Sequence, residues 1–367
     1  MIKFIEEKSF FEHLRIADSE RVHSEFLSWV LSPSCNAISE KVKENLVINL
    51  FKLDEGTEII KTGTEIDRID IFIETNECIL IIENKIKSSQ HSNQLSKYKK
   101  SVELAHPNKK LRFVFLTLVR EQNVDEGWFH VSYFDILNEL NKLDLISNKH
   151  SVFIEDYILY LTRLLSVLDE VVSHPQNYSD VFRNGSQKKS DKFLLKFENK
   201  KKEFIAKNQL ETIFQKAFLT TLLKDERLKY CYGHLIDTRG TALIDFPLKR
   251  DISIGTKKLY TTFIQIQGEN IKFAFANQDN YIKSKKVWIS SIVDIFKDFK
   301  TNNDFSFNKI NSPKSKAYVS ISKKMEKPYW EMNTDEIVSM IINEIQIGHI
   351  LTENLMIEIK KGQHDKC

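Results

Sequence analysis

Apolar residues recur along the first half of the chain with a spacing that changes from one segment to the next. Between Asp18 and Leu31 they return every three to four residues, which predicts an amphipathic helix that ends before Pro33. A second helix is predicted over 38–52. Residues 68–86, RIDIFIETNECILIIENKI, form two almost continuous apolar runs around a polar turn. That pattern is typical of two buried strands joined as a hairpin.

Helices and strands continue to alternate up to residue 172. A helix is predicted after the polar stretch that follows the hairpin, and its apolar side includes Leu95 and Val102. Strands are predicted over 111–119 and 127–135, and a long helix over 153–172. The order helix, strand, strand, helix, strand, strand, helix indicates an α/β layer with helices on both faces of a sheet.

The second half of the chain differs in composition from the first. Residues 176–192 contain turn formers and few large apolar side chains, so they predict a linker between domains over 1–175 and 193–367. In the second domain, hairpins are predicted to turn at TRG and at QGEN, and a helix is predicted to begin near Asn333 or Thr334. These elements indicate an α+β accessory domain. We expect it to recognise substrate, to dimerise or to bind a protein partner.

Composition excludes several classes of protein. Of 367 residues, 41% are hydrophobic and 29% charged, which is ordinary for a globular chain, and the formal net charge of +3 permits nucleic-acid binding without arguing for it. Four scattered cysteines without a CxxC pair fit a reducing compartment better than a zinc or disulfide framework. No GxxxxGK[ST] or GxGxxG motif is present, and no apolar run approaches the roughly 20 residues of a membrane span. We therefore expect a cytoplasmic protein without a nucleotide-binding loop.

Three polar residues, Asp70, Glu83 and Lys85, interrupt the apolar hairpin. If the hairpin turns at Thr75–Asn76, Asp70 lies opposite Ile81, and all three polar side chains share one face because side chains alternate along a strand. Asp70 and Glu83 then become diagonal neighbours roughly 7–8 Å apart at the backbone. The other face, packed against a helix layer, is predicted to carry Ile69, Ile71, Ile73, Leu80 and Ile82.

Two neighbouring carboxylates and a lysine suit metal-assisted chemistry. Carboxylate oxygens are ligands that Mg²⁺ and Mn²⁺ prefer. Lys85, two residues after Glu83, could orient a metal-bound water and stabilise charge that develops on a phosphate. Such a site hydrolyses phosphodiesters by in-line attack of water. The residues alone also allow a strand end with solvated charges or a salt bridge.

The arrangement resembles the D…(D/E)xK signature of the PD-(D/E)XK nuclease superfamily. On the following helix, Gln94 and Tyr98 form a QxxxY pair similar to that of the exonuclease branch. The phrase ERVHSEFLSWVLSPS, which contains Glu20 and His23, is similar to the E…HS..LaWLLdP opening of a bacterial subfamily. The segments EIDRIDIFI and IIENKI are similar to the core motifs of that subfamily, and the resemblance extends over roughly residues 15–170.

The resemblance implies a restriction-endonuclease-like core, which is a mixed sheet flanked by helices. It also implies that Asp70 and Glu83 bind Mg²⁺ or Mn²⁺ and that the main-chain carbonyl of Asn84 completes the metal site. Lys85 would be the catalytic lysine. Glu20 would act toward the metal or its water.

The implied activity is hydrolysis of phosphodiester bonds in DNA rather than RNA, endonucleolytic or exonucleolytic, in defence against foreign DNA. Gln94 and Tyr98 would position the active site or the scissile strand. The alternative is a catalytically inactive module of the same fold that binds nucleic acid or a protein partner. The presence of both acids and the lysine disfavours that alternative, whereas homodimerisation and partner binding through the second domain are left open.

Overall fold

A computed structural model divides the chain into two compact units, residues 1–174 with 180–220 and residues 175–179 with 221–367. The first unit thus reaches beyond residue 175, and residues 193–220, predicted as part of the accessory domain, are grouped with it. The structure describes residues 2–14, 16, 19–66, 69–86, 94–119, 126–184, 197, 199–236, 242–253, 259–277, 286–301, 307, 309–311 and 318–364.

The first part of the chain alternates helices and strands as the apolar pattern predicts. The elements are α1 (Phe10–His13), α2 (Glu20–Leu31), α3 (Glu40–Phe51), β1 (Ile59–Gly63), β2 (Ile71–Thr75), β3 (Ile79–Lys85), α4 (Gln94–Ala105), β4 (Leu111–Thr117), β5 (Trp128–Ser132), α5 (Tyr133–Leu140) and α6 (Ser151–Ser173). They are followed by a 3₁₀ turn (Pro175–Tyr178), α7 (Ser179–Asn184), α8 (Lys200–Lys207) and α9 (Glu211–Leu222). Within the predicted linker over 176–192, residues 179–184 are thus helical, and 185–192 lie outside the described residues.

Five strands form one mixed sheet in the order β1-β2-β3-β4-β5. The first two strand pairs are antiparallel, and the last two are parallel. On one face, Leu95 and Val102 of α4 pack with a cluster that includes Ile81 and Phe113. On the other face, α2 contacts β1, β2 and β3. The predicted α/β architecture with helices on both faces of the sheet is confirmed.

Two local predictions near this sheet are wrong. The strand predicted over 127–135 ends at Ser132, because Ser132 and Asp135 form a capping box that starts α5. The Asp135 amide donates to Ser132 Oγ at 3.2 Å, and the Ser132 amide donates to Asp135 Oδ2 at 2.8 Å. Ile69, predicted to lie on the face opposite Asp70, instead packs in the cluster that contacts α4.

The β2–β3 hairpin turns one residue later than predicted. Phe72 pairs with Ile81, so the predicted pairing of Asp70 with Ile81 is wrong. The side chain of Thr75 explains the difference, because its hydroxyl accepts from the Cys78 amide at 2.9 Å and donates to the Cys78 carbonyl at 2.8 Å. These bonds close the turn around the two residues that follow Thr75. The observed pairing differs from the predicted pairing by two positions, so the side chains stay on the same faces of the sheet.

The second unit is built around an antiparallel sheet of order β10-β11-β9-β8-β7-β6. Its elements are a 3₁₀ turn (Glu226–Cys231), β6 (His234–Ile236), β7 (Leu243–Ser253), β8 (Leu259–Gln267), β9 (Asn270–Asn277), α10 (Lys286–Thr301), β10 (Lys309–Asn311), β11 (Tyr318–Lys324), a 3₁₀ turn (Tyr329–Glu331) and α11 (Thr334–His364). The strands of both predicted hairpins pair, β6 with β7 and β8 with β9, and the final helix is present, which confirms the α+β character. The turn predicted at TRG, residues 238–240, lies outside the described residues. In the described parts of the chain, no helix combines the length and apolar character of a membrane span.

Candidate active site

The end of the β2–β3 hairpin brings together the acidic and basic residues that interrupt its apolar pattern. Since Ile71 pairs with Ile82, one further step along the ladder places Asp70 beside Glu83. The main-chain amide of Asn84 donates to Asp70 Oδ2 at 2.8 Å. Lys85 Nζ lies 2.7 Å from Glu83 Oε1, in an ion pair that is largely buried.

Glu20 reaches the same place from a different element. It is the first residue of α2, and its Oε1 accepts from the main-chain amide of Ile86 at 3.0 Å. Its Oε2 lies 4.0 Å from Lys85 Nζ. The structure therefore places Glu20 with the hairpin residues, as the resemblance implies.

Three carboxylates, those of Glu20, Asp70 and Glu83, surround the ammonium of Lys85. Burial, and secondly the neighbouring Glu83 carboxylate, raise the pKa of Asp70 to about 6. For Lys85, burial works to lower the pKa, but the attraction of the carboxylates, Glu83 foremost, outweighs it and raises the pKa. With every group ionised, this cluster has a charge of −2. Glu20, Glu83 and Lys85 together contribute −1 of it, which disfavours the ionised form of Asp70.

The cluster fits a divalent cation in its charge and in the chemistry of its donors. Mg²⁺ is bound by one or two carboxylates and retains several waters, so it needs no complete protein cage. The described residues contain no group of three His, Cys, Asp or Glu side chains arranged to hold a metal ion. Two of the carboxylates, those of Glu83 and Glu20, lie 2.7 and 4.0 Å from the ammonium of Lys85.

The side chain of Asn84 lies on the opposite face of β3 and is fully buried. Its Nδ2 donates to the carbonyl of Glu20 at 3.1 Å and to Ser24 Oγ at 3.0 Å. Its Oδ1 accepts from the Tyr133 hydroxyl at 2.9 Å. From the sequence, only the main-chain carbonyl of Asn84 was expected to take part in the site, and neither Ser24 nor Tyr133 was indicated. The available signal was the amide itself, since a polar residue on a buried strand face must find partners.

His23, on the same helix as Glu20, makes its hydrogen bond and ring contacts with tyrosines of α5 and α6. It is fully buried, and its Nδ1 lies 2.8 Å from the Tyr157 hydroxyl. Its ring packs against those of Tyr133 and Tyr160. Its contacts are those of a core histidine that ties α2 to α6.

The two residues of the QxxxY pair lie on α4, which covers the face of the sheet that carries Glu83. Gln94 begins the helix, but its side chain lies outside the described residues. Tyr98 is half-buried, and its ring stacks on Trp128 with ring centroids 6.1 Å apart. The predicted role of both residues toward the scissile strand stays a prediction.

One further polar pair lies next to the cluster and was not found from the sequence. Thr117 pairs with Lys85 in the parallel ladder of β3 and β4. Its Oγ1 lies 2.8 Å from Nε2 of His130 on β5. Alternation within 111–119 could have indicated Thr117, because it lies in phase with the apolar face that packs under α4.

Comparison with known families identifies the segment that carries these residues. Residues 8–152 match the family model of the PD-(D/E)XK nuclease superfamily, and this range spans the five-stranded sheet and the whole carboxylate cluster. No curated protein and no solved structure matches the chain. Nucleases of the superfamily generally use divalent metal ions. Residues 8–152, with their mixed sheet and the clustered Asp70, Glu83 and Lys85, thus match a family of the PD-(D/E)XK nuclease superfamily.

Proposed function

We propose that this protein is a metal-dependent nuclease that hydrolyses phosphodiester bonds in DNA. The observation that carries the proposal is the Lys85 ammonium held among the carboxylates of Glu20, Asp70 and Glu83 at the end of one strand. The preference for DNA over RNA, and a role in defence against foreign DNA, are supported by the superfamily alone.

Asp70 and Glu83, with the main-chain carbonyl of Asn84, would hold Mg²⁺ or Mn²⁺. When bound, the ion acts as a Lewis acid on the phosphate and lowers the pKa of a bound water. Glu20 would act on the ion or on its water. Support for this set of ligands comes from the −2 charge of the cluster, which a divalent cation neutralises.

Lys85 would be the catalytic lysine. Its ammonium lies 2.7 Å from Glu83 Oε1, at the same end of the hairpin as the proposed ligands. From there it would donate to the attacking water and to a non-bridging phosphate oxygen. There it stabilises the negative charge that grows in the transition state.

The remaining parts of the chain would act on the substrate as a whole. Gln94 and Tyr98 would position the scissile strand from α4. The second domain, predicted over 193–367, would recognise substrate, form a homodimer or bind a protein partner. We place the enzyme in the cytoplasm.

A cleavage assay tests the proposal. The purified full chain is incubated with linear DNA, covalently closed circular DNA and RNA, in Mg²⁺, in Mn²⁺ or in EDTA. We expect metal-dependent cleavage that Lys85→Ala and Asp70→Ala each reduce at least about 100-fold. Lys109→Ala, which removes an exposed ammonium from the same unit, should leave cleavage unchanged.

The substrates separate the outcomes. Cleavage of closed circles identifies an endonuclease, and cleavage of linear DNA alone identifies an exonuclease. Cleavage that survives both active-site substitutions would contradict the site assignment. Binding without cleavage of any substrate would favour the inactive binding module.

A further inference from the structure

We infer that the carboxamide of Asn84 is a positioning group that sets the place of Glu20 from the far side of β3. The inference rests on the proposed function, because Glu20 is given a role in it. The D…(D/E)xK signature leaves this position open. In this chain, the hydrogen bonds of the Asn84 carboxamide define its role.

The carboxamide is fully buried and makes three hydrogen bonds to two other elements. Nδ2 uses one N–H for the Glu20 carbonyl and the other for Ser24 Oγ, both on α2. Oδ1 accepts from Tyr133 at the start of α5. A buried amide that is satisfied in this way has one orientation, because any rotation leaves a donor or an acceptor without its partner.

These bonds hold Glu20 at both of its ends. Its carbonyl accepts from Asn84 Nδ2 and also from the Ser24 hydroxyl at 3.0 Å. Its carboxylate accepts from the amide of Ile86 at 3.0 Å. Asn84 and Ile86 are the chain neighbours of Lys85, so the distance of 4.0 Å between Glu20 Oε2 and Lys85 Nζ is set from both sides.

Other side chains at this position cannot reproduce the bonds. Aspartate lacks the two N–H groups that α2 requires, and it would add a fourth carboxylate beneath the cluster. Leucine has a similar size but would leave the Tyr133 hydroxyl and the Glu20 carbonyl without these partners, which is unfavourable for buried polar groups. The position therefore selects asparagine by hydrogen bonding and not by shape alone.

The chain provides a matched control in the same core. The Tyr157 hydroxyl lies 2.8 Å from His23 Nδ1, so it is also a phenol buried between α2 and a later helix. The Tyr157 hydroxyl thus bonds to His23, whereas the Tyr133 hydroxyl donates to Asn84 Oδ1. Tyr133→Phe and Tyr157→Phe each remove one buried hydroxyl, but only the first acts on the carboxamide of Asn84.

The kinetic test is a double-mutant cycle in the full chain with Mg²⁺ and linear DNA. We expect Asn84→Ala to lower kcat about 10- to 100-fold, and Tyr133→Phe about threefold to tenfold, with KM nearly unchanged. In a Glu20→Gln background each should lower kcat less than about twofold, because the group they position is already lost. Tyr157→Phe should leave kcat unchanged. If Asn84→Ala does not fold, the cycle with Tyr133→Phe decides.

A readout independent of activity separates this inference from the proposed function. If Asn84 sets the place of Glu20, the Ile86 amide that donates to Glu20 should lose protection from hydrogen exchange in Asn84→Ala and Tyr133→Phe. It should keep its protection in Tyr157→Phe. Loss of protection in these two variants, combined with a wild type that cleaves no nucleic acid, would uphold the positioning role and refute the nuclease. Equal kcat losses with and without Glu20, or unchanged protection at Ile86, would overturn the inference.

Discussion

Asp70→Asn should stabilise the metal-free protein while it abolishes cleavage. Burial and the Glu83 carboxylate raise the pKa of Asp70 from 3.8 to about 6, so the folded state disfavours the ionised form. A shift of about two units corresponds to about 3 kcal/mol at neutral pH. Because Asp70 is only partly buried and solvent screens part of the repulsion, we expect a gain of about 1–2 kcal/mol in the free energy of unfolding.

The pH dependence of this gain has a definite sign. Below pH 3.8, Asp70 is protonated in both the folded and the unfolded chain, so the carboxylate adds no penalty. As the pH rises from 3.8 to 6, the unfolded chain ionises first and the penalty grows to its full value. The advantage of Asp70→Asn over the wild type should therefore be complete at pH 7.5 and shrink steadily toward pH 4.

The assay is urea unfolding in EDTA, read by pulsed hydrogen exchange on peptides from residues 69–86, so that only the first unit is followed. Asp245→Asn is the matched control, because burial also raises the pKa of Asp245, in the second unit, to about 6. Mg²⁺ should then stabilise the wild type and Asp245→Asn but not Asp70→Asn. A loss of stability in Asp70→Asn at pH 7.5 would refute the electrostatic reasoning.

Three further substitutions test other contacts. Glu12→Gln removes the carboxylate that lies 2.7 Å from the buried Arg163, and we expect it to lower the free energy of unfolding in urea by about 3 kcal/mol. A decrease below about 1 kcal/mol would contradict a buried ion pair. Ser132→Ala removes the cap of α5 and should cost about 1 kcal/mol, so an unchanged urea midpoint would argue against the cap. Lys85→Arg retains the charge but replaces a compact ammonium with a planar fork, and we expect a fall in kcat of at least about tenfold; wild-type kinetics would show that charge alone suffices there.

Alternation along the hairpin was enough to predict which side chains of β2 and β3 share a face, but it failed at Ile69, before β2, and could not predict which residues pair. The face on which a side chain lies depends only on its sequence separation from the other residues of the same strand. The register depends on the Thr75 hydroxyl, whose bonds to Cys78 move the turn by one residue. The prediction for Asp70, Glu83 and Lys85 survived because the pairing shifted by two positions.

Contacts between distant parts of the chain were beyond the reach of the sequence. Asn84 bonds to residues 60 and 49 positions away, Ser24 and Tyr133, and no local pattern links them. In the second unit, β11 pairs with β9 across a long connection, so the hairpin pattern could not reveal β10 and β11. The start of α5 was predictable, because Ser132 and Asp135 have the spacing of a capping box.

Single-turnover cleavage of an end-labelled DNA duplex by the full chain tests the central claim most directly. The wild type should cleave in Mg²⁺ or Mn²⁺ and stop in EDTA. Glu83→Gln and Lys85→Ala should each lose at least about 100-fold in rate while circular dichroism shows them folded. Cleavage that continues in EDTA, or a wild-type rate in either variant, would contradict a metal-dependent site at Asp70, Glu83 and Lys85.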